Sequence, residues 1–209
     1  MKTLRDEMNS KPHRGRPRSF DVDRALDRAM KVFWRKGYEG ASLPDLTRAM
    51  GINRPSLYAA FGNKEMLFRR ALQRYGEGPG GYVGRAMDEP TARRVVERLL
   101  YGGIDLLTNP RNPRGCFSVQ GALACGDDAA AMRNELIAHR EAGIKALRRR
   151  FERAKSEGDL PANANPAALA RYIATVMHGL SVQATSGASR RELRSVAQLA
   201  LKAWPNSRL

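Results

Sequence analysis

Apolar residues recur at three- and four-residue steps along most of the chain, and that period predicts an all-α protein. The clearest segment is 42–64, SLPDLTRAMGINRPSLYAAFGNK. Leu43, Leu46, Ala49 and Met50 make one apolar stripe of a short helix, and Ser42 with Asp45 three residues on is an N-cap signature. Gly51 ends it, because the residue after a helix often takes a positive φ that glycine adopts without steric cost. A second short helix restarts with Asn53 as cap, and Ile52 before it meets Leu57 as a hydrophobic staple. Leu57 and Phe61 turn inward. Arg54, Pro55 and Tyr58 share the opposite face with Ser56 beside them, where no core needs them.

The same period places the other helices. Val22–Lys36, capped by Asp21, turns Val22, Leu26, Ala29, Met30 and Phe33 inward and stops at Gly37. Asn63 caps a helix whose inner stripe is Leu67, Ala71 and Tyr75; its first backbone N–H groups are open to anions, and Lys64 follows at once. Glu77–Gly84 breaks the pattern and reads as a linker. Its G-x-G-x-x-G at Gly76, Gly78 and Gly81 has no strand before it and contains Pro79, so it does not read as a dinucleotide loop. Beyond it come Thr91–Thr108, with Val95, Leu99, Gly103 and Leu106 on a stripe, and a short apolar helix Cys116–Cys125. Asp128–Glu157 turns Met132, Leu136, His139, Ile144, Leu147, Phe151 and Ala154 inward and is closed by Gly158. Asn165 and Pro166 open a helix to Ser186, and a Ser189–Glu192 capping box opens Arg190–Ala203. Leu169, Ile173, Val176, Leu180, Leu193, Val196, Leu199 and Leu201 give these last two helices an apolar surface suited to two-fold pairing into a four-helix bundle.

Charge adds a partner. The net charge of +16 favours a polyanion, and residues 1–74 hold 17 Lys and Arg against 8 Asp and Glu. Residues 1–19 form a polar, basic arm in which Arg14-Gly15-Arg16-Pro17, followed by Arg18, has the form of a minor-groove hook. Ala167–Ala184 is interrupted by Arg171 and His178, so no run spans a bilayer, and the N-terminus lacks the apolar stretch of a signal peptide. A cytoplasmic protein without membrane contact is expected.

A helix, a tight glycine turn and a second helix with a polar outer face is the geometry that lays the second helix in a major groove. Arginine reads guanine edges or holds phosphate, and the Tyr58 hydroxyl reaches phosphate. The expected DNA face is Ser42, Asn53, Arg54, Pro55, Ser56, Tyr58, Asn63 and Lys64, with Arg14, Arg16 and Arg18 from the arm. Residues 16–75, with FWRKGYEGAS followed by LPDLTRAMGINRPSLYAAFGNKEML, resemble the N-terminal domain of the TetR family of transcriptional repressors. The resemblance implies a homodimer that binds a double-stranded DNA operator and is released when a small molecule occupies a helical C-terminal domain. It also implies that Lys64 touches a phosphate. The expected organisation is an arm over 1–19, a three-helix helix-turn-helix domain over 20–76, and a helical ligand-binding and dimerisation domain over 77–209.

The effector is not named by the residues. Tyr82, Tyr101, Cys116, Phe117, Met132, His139, Tyr172, Met177 and His178 are candidates to line an apolar cavity, and each also reads as ordinary core. Cys116 follows Arg114-Gly115 at a helix start, where a thiol's pKa falls, so a cysteine-based sensor of oxidants or electrophiles stands as an alternative to a reversibly bound ligand. Buried structural cysteines stand as the other reading. Along one helix Cys116 and Cys125 would be about 13 Å apart, too far for a local disulfide. An architectural DNA-binding protein without a ligand is a further alternative. Neither metal nor cofactor is expected from three scattered histidines and two cysteines. An enzyme is not expected either, since the one conceivable dyad is Cys116 with His139.

Overall fold

The computed structural model describes residues 20–123 and 129–205. Arg14, Arg16, Arg18 and Cys125 therefore lie outside the described residues. Within them every regular element is helical. The N-terminal part holds α1 (Val22–Gly40), α2 (Leu43–Met50), α3 (Arg54–Phe61) and α4 (Lys64–Glu77). A 3-10 turn (Pro79–Gly81) and a short α5 (Tyr82–Met87) lead to α6 (Ala92–Leu107) and α7 (Phe117–Leu123). The long α8 (Ala130–Ser156), α9 (Pro166–Thr185) and α10 (Arg190–Lys202) complete it.

The helix starts follow the local signals. Asp21, Asn53, Asn63, Thr91 and Asn165 each accept a backbone N–H in the first turn of the helix they precede. Ser42–Asp45 and Ser189–Glu192 both form reciprocal capping boxes. Such a cap contributes about 1 kcal/mol to a helix. Asp45 is also held by the Lys36 ammonium at 2.8 Å, and that bond, with the Ser42 hydroxyl, lowers its carboxyl to about 2. Gly51 closes α2 at φ 70° and Gly158 follows α8 at φ 77°. α1 kinks at Gly37, the residue expected to end it, and resumes to Gly40.

The expected linker is the first correction. α4 runs to Glu77, and after one 3-10 turn the chain is helical again over Tyr82–Met87. Tertiary packing overrides the glycine-rich sequence here. A Cβ on Gly102 would stand 2.7 Å from the Tyr82 ring, so the bare backbone of α6 is what lets that ring lie against it. α5 is therefore pinned across α6.

Two apolar clusters hold the molecule. The first joins α1–α4 through Phe33, Trp34, Leu46, Leu57, Phe61, Leu67, Phe68 and Tyr75, and continues into Leu106, Phe117, Met132 and Leu136. The second packs α5, α6, α8, α9 and α10 around Leu99, Leu100, Phe151, Ile173, Leu193 and Trp204. Burying each such large side chain stabilises the fold by about 1.5–3 kcal/mol relative to exposure. Polar ties orient the helices on this core. Arg74 pairs with Asp27 at 2.8 Å, joining α4 to α1, and Arg70 donates to the Ala60 carbonyl at 3.1 Å, joining α4 to the end of α3. Arg69 reaches Glu135 of α8 at 2.7 Å.

The apolar surface expected on the last two helices is half right. Ile173, Leu180, Leu193 and Leu201 are buried within the chain's own core, and Leu169 and Val176 are partly buried against it. The outward apolar residues are Tyr172 and Val182 on α9, and Val196 and Leu199 on α10, the last 65% exposed. The helical period places two apolar faces on α9 and α10, and hydrophobicity alone does not say which turns inward.

Candidate nucleic-acid interface and cavity

The helix-turn-helix is built by α2 and α3. Leu57 and Phe61 are fully buried and Ile52 packs on the cluster that holds them, so α3 is anchored by one face only. That leaves Arg54, Pro55 and Tyr58 exposed, with Ser56 half-buried and its N–H fixed to Asn53 Oδ1 at 2.9 Å. Ser42 and Asn63 are exposed at the starts of α2 and α4. The eight described residues expected at a DNA face therefore lie on α3 and on the helix starts flanking it.

Lys64 shows how that face is shaped. Its ammonium sits 4.5 Å above the Tyr38 ring centroid, and partial burial lowers its pKa, offset in part by Glu39. The aromatic ring holds the cation at the first residue of α4, next to the free N–H groups left after Asn63 takes that of Met66. Positive charge and a helix N-terminus are then superposed, which suits a phosphate. Tyr38 is absent from the residues that the sequence alone singles out. Its one signal there is an aromatic ring just after the Gly37 kink. Arg48, exposed on α2, is absent from them as well.

A partly open cavity of about 460 Å³ is lined by residues of α4–α9 and the turns between them. That volume is in the range of small-molecule sites. Of the nine sequence candidates, Tyr82, Cys116, His139, Met177 and His178 line it, His139 as an exposed residue where an inward one is expected. The other four candidates do not. Phe117 is buried in a ladder of rings, 5.4 Å from both Phe68 and Tyr75, and Met132 is buried in the first cluster. Tyr101 lies under the Arg194 guanidinium at 5.1 Å, and Tyr172 points away from the core on the outer face of α9. Lining residues absent from those nine candidates include Tyr75, Ser118, Arg140 and Ser181.

One corner of the cavity is a junction. The Cys116 N–H donates to Ser181 Oγ of α9 at 2.8 Å. Its thiol accepts from the Tyr75 hydroxyl of α4 at 3.4 Å and lies 3.3 Å from the Ser118 hydroxyl. Burial, with the thiol beside it, pushes the Tyr75 phenol well above its usual range, so Tyr75 stays a donor. The carbonyl before Cys116, that of Gly115, accepts the Trp34 indole N–H of α1 at 2.8 Å in a buried bond between residues 81 apart. Gly115 has φ 86°, and a Cβ there would stand 2.6 Å from Thr185 Oγ1, so only glycine turns the carbonyl toward Trp34. Arg114 does not face the thiol: it reaches the Ala184 carbonyl at 3.5 Å, at the end of α9. Cys116 makes these contacts with Tyr75, Ser118 and Ser181, and no bond to His139 is among them.

Among the described residues no helix is long and apolar enough to cross a membrane.

Comparison with known proteins agrees with this architecture. Residues 25–71 match the bacterial regulatory proteins of the tetR family, and residues 92–200 match a tetracyclin repressor-like C-terminal domain. The HTH-type transcriptional repressor ComR of Escherichia coli (strain K12) is 32% identical over 197 residues, covering 93% of this chain and 94% of its own length. The repressor BdcR of the same strain is 31% identical over 190 residues, covering 89% of this chain and 90% of its own. Among solved structures, a cysteine mutant of the TetR family regulator CifR in complex with 26-bp operator DNA superposes with a TM-score of 0.87. It is 48% identical and covers 91% of this chain and 100% of that one. With an N-terminal helix-turn-helix, a helical C-terminal domain and full-length relatives that are transcriptional regulators, the chain belongs to the TetR family of DNA-binding transcriptional regulators.

Proposed function

We propose that this chain is a ligand-responsive repressor that binds a palindromic operator as a homodimer and leaves it when a small molecule fills the cavity. The carrying observation is that one backbone corner serves both ends. Cys116 lines the cavity, while the carbonyl before it holds Trp34 of α1 and its thiol meets Tyr75 of α4. An occupant that moves this corner moves the two helices that carry α2 and α3. Pairing would use Tyr172 and Val182 of α9 with Val196 and Leu199 of α10, whose exposed side chains lie outside the core. The arm arginines Arg14, Arg16 and Arg18 would follow the neighbouring minor groove, where a narrow A·T-rich groove concentrates negative potential. The setting would be the cytoplasm, where operators lie. DNA fragments selected by the purified protein should yield a two-fold symmetric consensus, and a screen of small molecules should then find compounds that release it. A single asymmetric element bound by one chain would refute the dimeric reading.

A second reading, covalent sensing, is favoured by the exposure of Cys116 to the cavity and by the relatedness of CifR, whose operator complexes were solved with cysteine mutants. In a Cys125→Ser background, iodoacetamide should then carbamidomethylate Cys116, with thiolate displacing iodide, and release the operator. The same treatment of Cys116→Ser should leave the operator bound. Quantitative alkylation of Cys116 with the operator still occupied would exclude this reading.

A further inference from the structure

The described lining of the cavity has a basic side and no acidic one. Among its described lining residues there is no Asp or Glu, while Arg140, His139 and His178 approach from neighbouring turns of α8 and α9. Arg140 is fixed by a bond from Nη1 to the Ser118 carbonyl at 3.1 Å. A guanidinium has five N–H donors in a planar fork, so that bond leaves most of the donor set for another acceptor. The adjacent acidic side chain is engaged by another cation: Glu141 pairs with Arg171 at 2.7 and 3.2 Å, and its charge reaches Arg140 and His178 only through space.

The two histidines do not share the cation's role. Partial burial, and after it the charge of Arg140, lowers the pKa of both, with Glu141 opposing in part at His178, so near neutral pH the uncharged ring with one N–H is favoured at each. Among the described lining residues Arg140 is then the one cation. The apolar part of the lining includes Met87, Leu99, Leu100, Leu107 and Leu147. A half-buried guanidinium that no carboxylate contacts has donors open to an incoming anion, and a carboxylate matches its fork with two parallel bonds.

We infer that the cavity takes an amphipathic monoanion, a carboxylate on an apolar chain or ring, with its head at Arg140, His139 and His178 and its tail among Leu99, Leu100 and Leu147. This rests on the proposal that the cavity is the effector site, and it names the class of effector.

Three probes of equal chain length separate the possibilities: octanoate, 1-octanol and octylamine, each titrated calorimetrically into the full-length protein. Octanoate should bind at least about ten-fold more tightly than octanol, the scale of one charge-assisted hydrogen bond, and octylamine should bind most weakly. Arg140→Gln should bring octanoate to the level of octanol and leave octanol unchanged, which also shows that the variant is folded. Arg140→Lys should restore part of the preference. Equal binding of octanoate and octanol, a preference that survives Arg140→Gln, or no binding of octanoate overturns the inference. Operator occupancy, followed in parallel, isolates the underlying reading. Octanoate that binds at Arg140 but leaves the operator occupied supports the ligand class and refutes the release mechanism. Octanol that releases the operator while octanoate does not bind does the reverse.

Discussion

Replacing Trp34 by phenylalanine is expected to leave operator affinity close to that of the unaltered protein while abolishing release by compounds that act on the cavity. The indole N–H is the donor to the Gly115 carbonyl, and phenylalanine keeps an aromatic ring in a site that is 1% exposed. The orphaned carbonyl should cost about 1–3 kcal/mol of stability, and the smaller ring adds to that through imperfect packing. Thermal denaturation measures this part. The functional part needs a control of similar stability loss, and Phe33→Leu supplies it. Phe33 is equally buried in the same helix and meets Phe68 edge-on at 5.0 Å, but it takes no part in the tether. If both variants lose release to the same degree, general loosening of α1 is responsible and the tether has no special role. Release lost in Trp34→Phe and kept in Phe33→Leu would place the coupling in that one bond.

Arg54→Ala and Lys64→Ala should fail in different ways. Arg54 is exposed at the first residue of α3, with no core duty, so its removal should cost about 1–3 kcal/mol and relax preference at one base pair per half-site. Lys64 is held over Tyr38 beside a helix N-terminus, a position suited to phosphate. Its removal should weaken every sequence alike and reduce the salt slope by about one unit for each phosphate left without its cation. Binding to a panel of single-base operator variants at several salt concentrations separates the two. A uniform loss for both would mean that Arg54 positions the helix and does not read.

What is legible in the sequence is what is decided locally. Caps at Ser42, Asn53, Asn63 and Asn165 need only their own first turn, and the stripe of Leu57 and Phe61 needs only the helical period. The cavity is not legible in the same way, since its wall comes from elements far apart in the chain. Phe117 and Met132 are apolar enough for either a wall or a core, and packing sends both to the core. Arg140 and Ser118 offer no apolar signal, and they line the cavity because α7 and α8 cross there. Trp34 carries a faint mark: it adjoins Phe33, and two neighbouring large rings cannot share a single inward stripe. The second ring faces the C-terminal half.

The ring ladder has a consequence for how such a regulator can fail. Phe117, from α7, stacks against Phe68 and Tyr75 of α4, and Tyr75 meets Trp34 edge-on at 4.9 Å. A polypeptide cut after Gly76 would keep the whole helix-turn-helix yet bare three of these rings to water. A nonsense codon between those of Gly76 and Phe117 is therefore expected to destabilise the helix-turn-helix and not to leave a permanent blocker of the operator. If the cavity governs release as proposed, deafness to the effector is expected to arise one residue at a time, at positions such as Trp34 and Gly115.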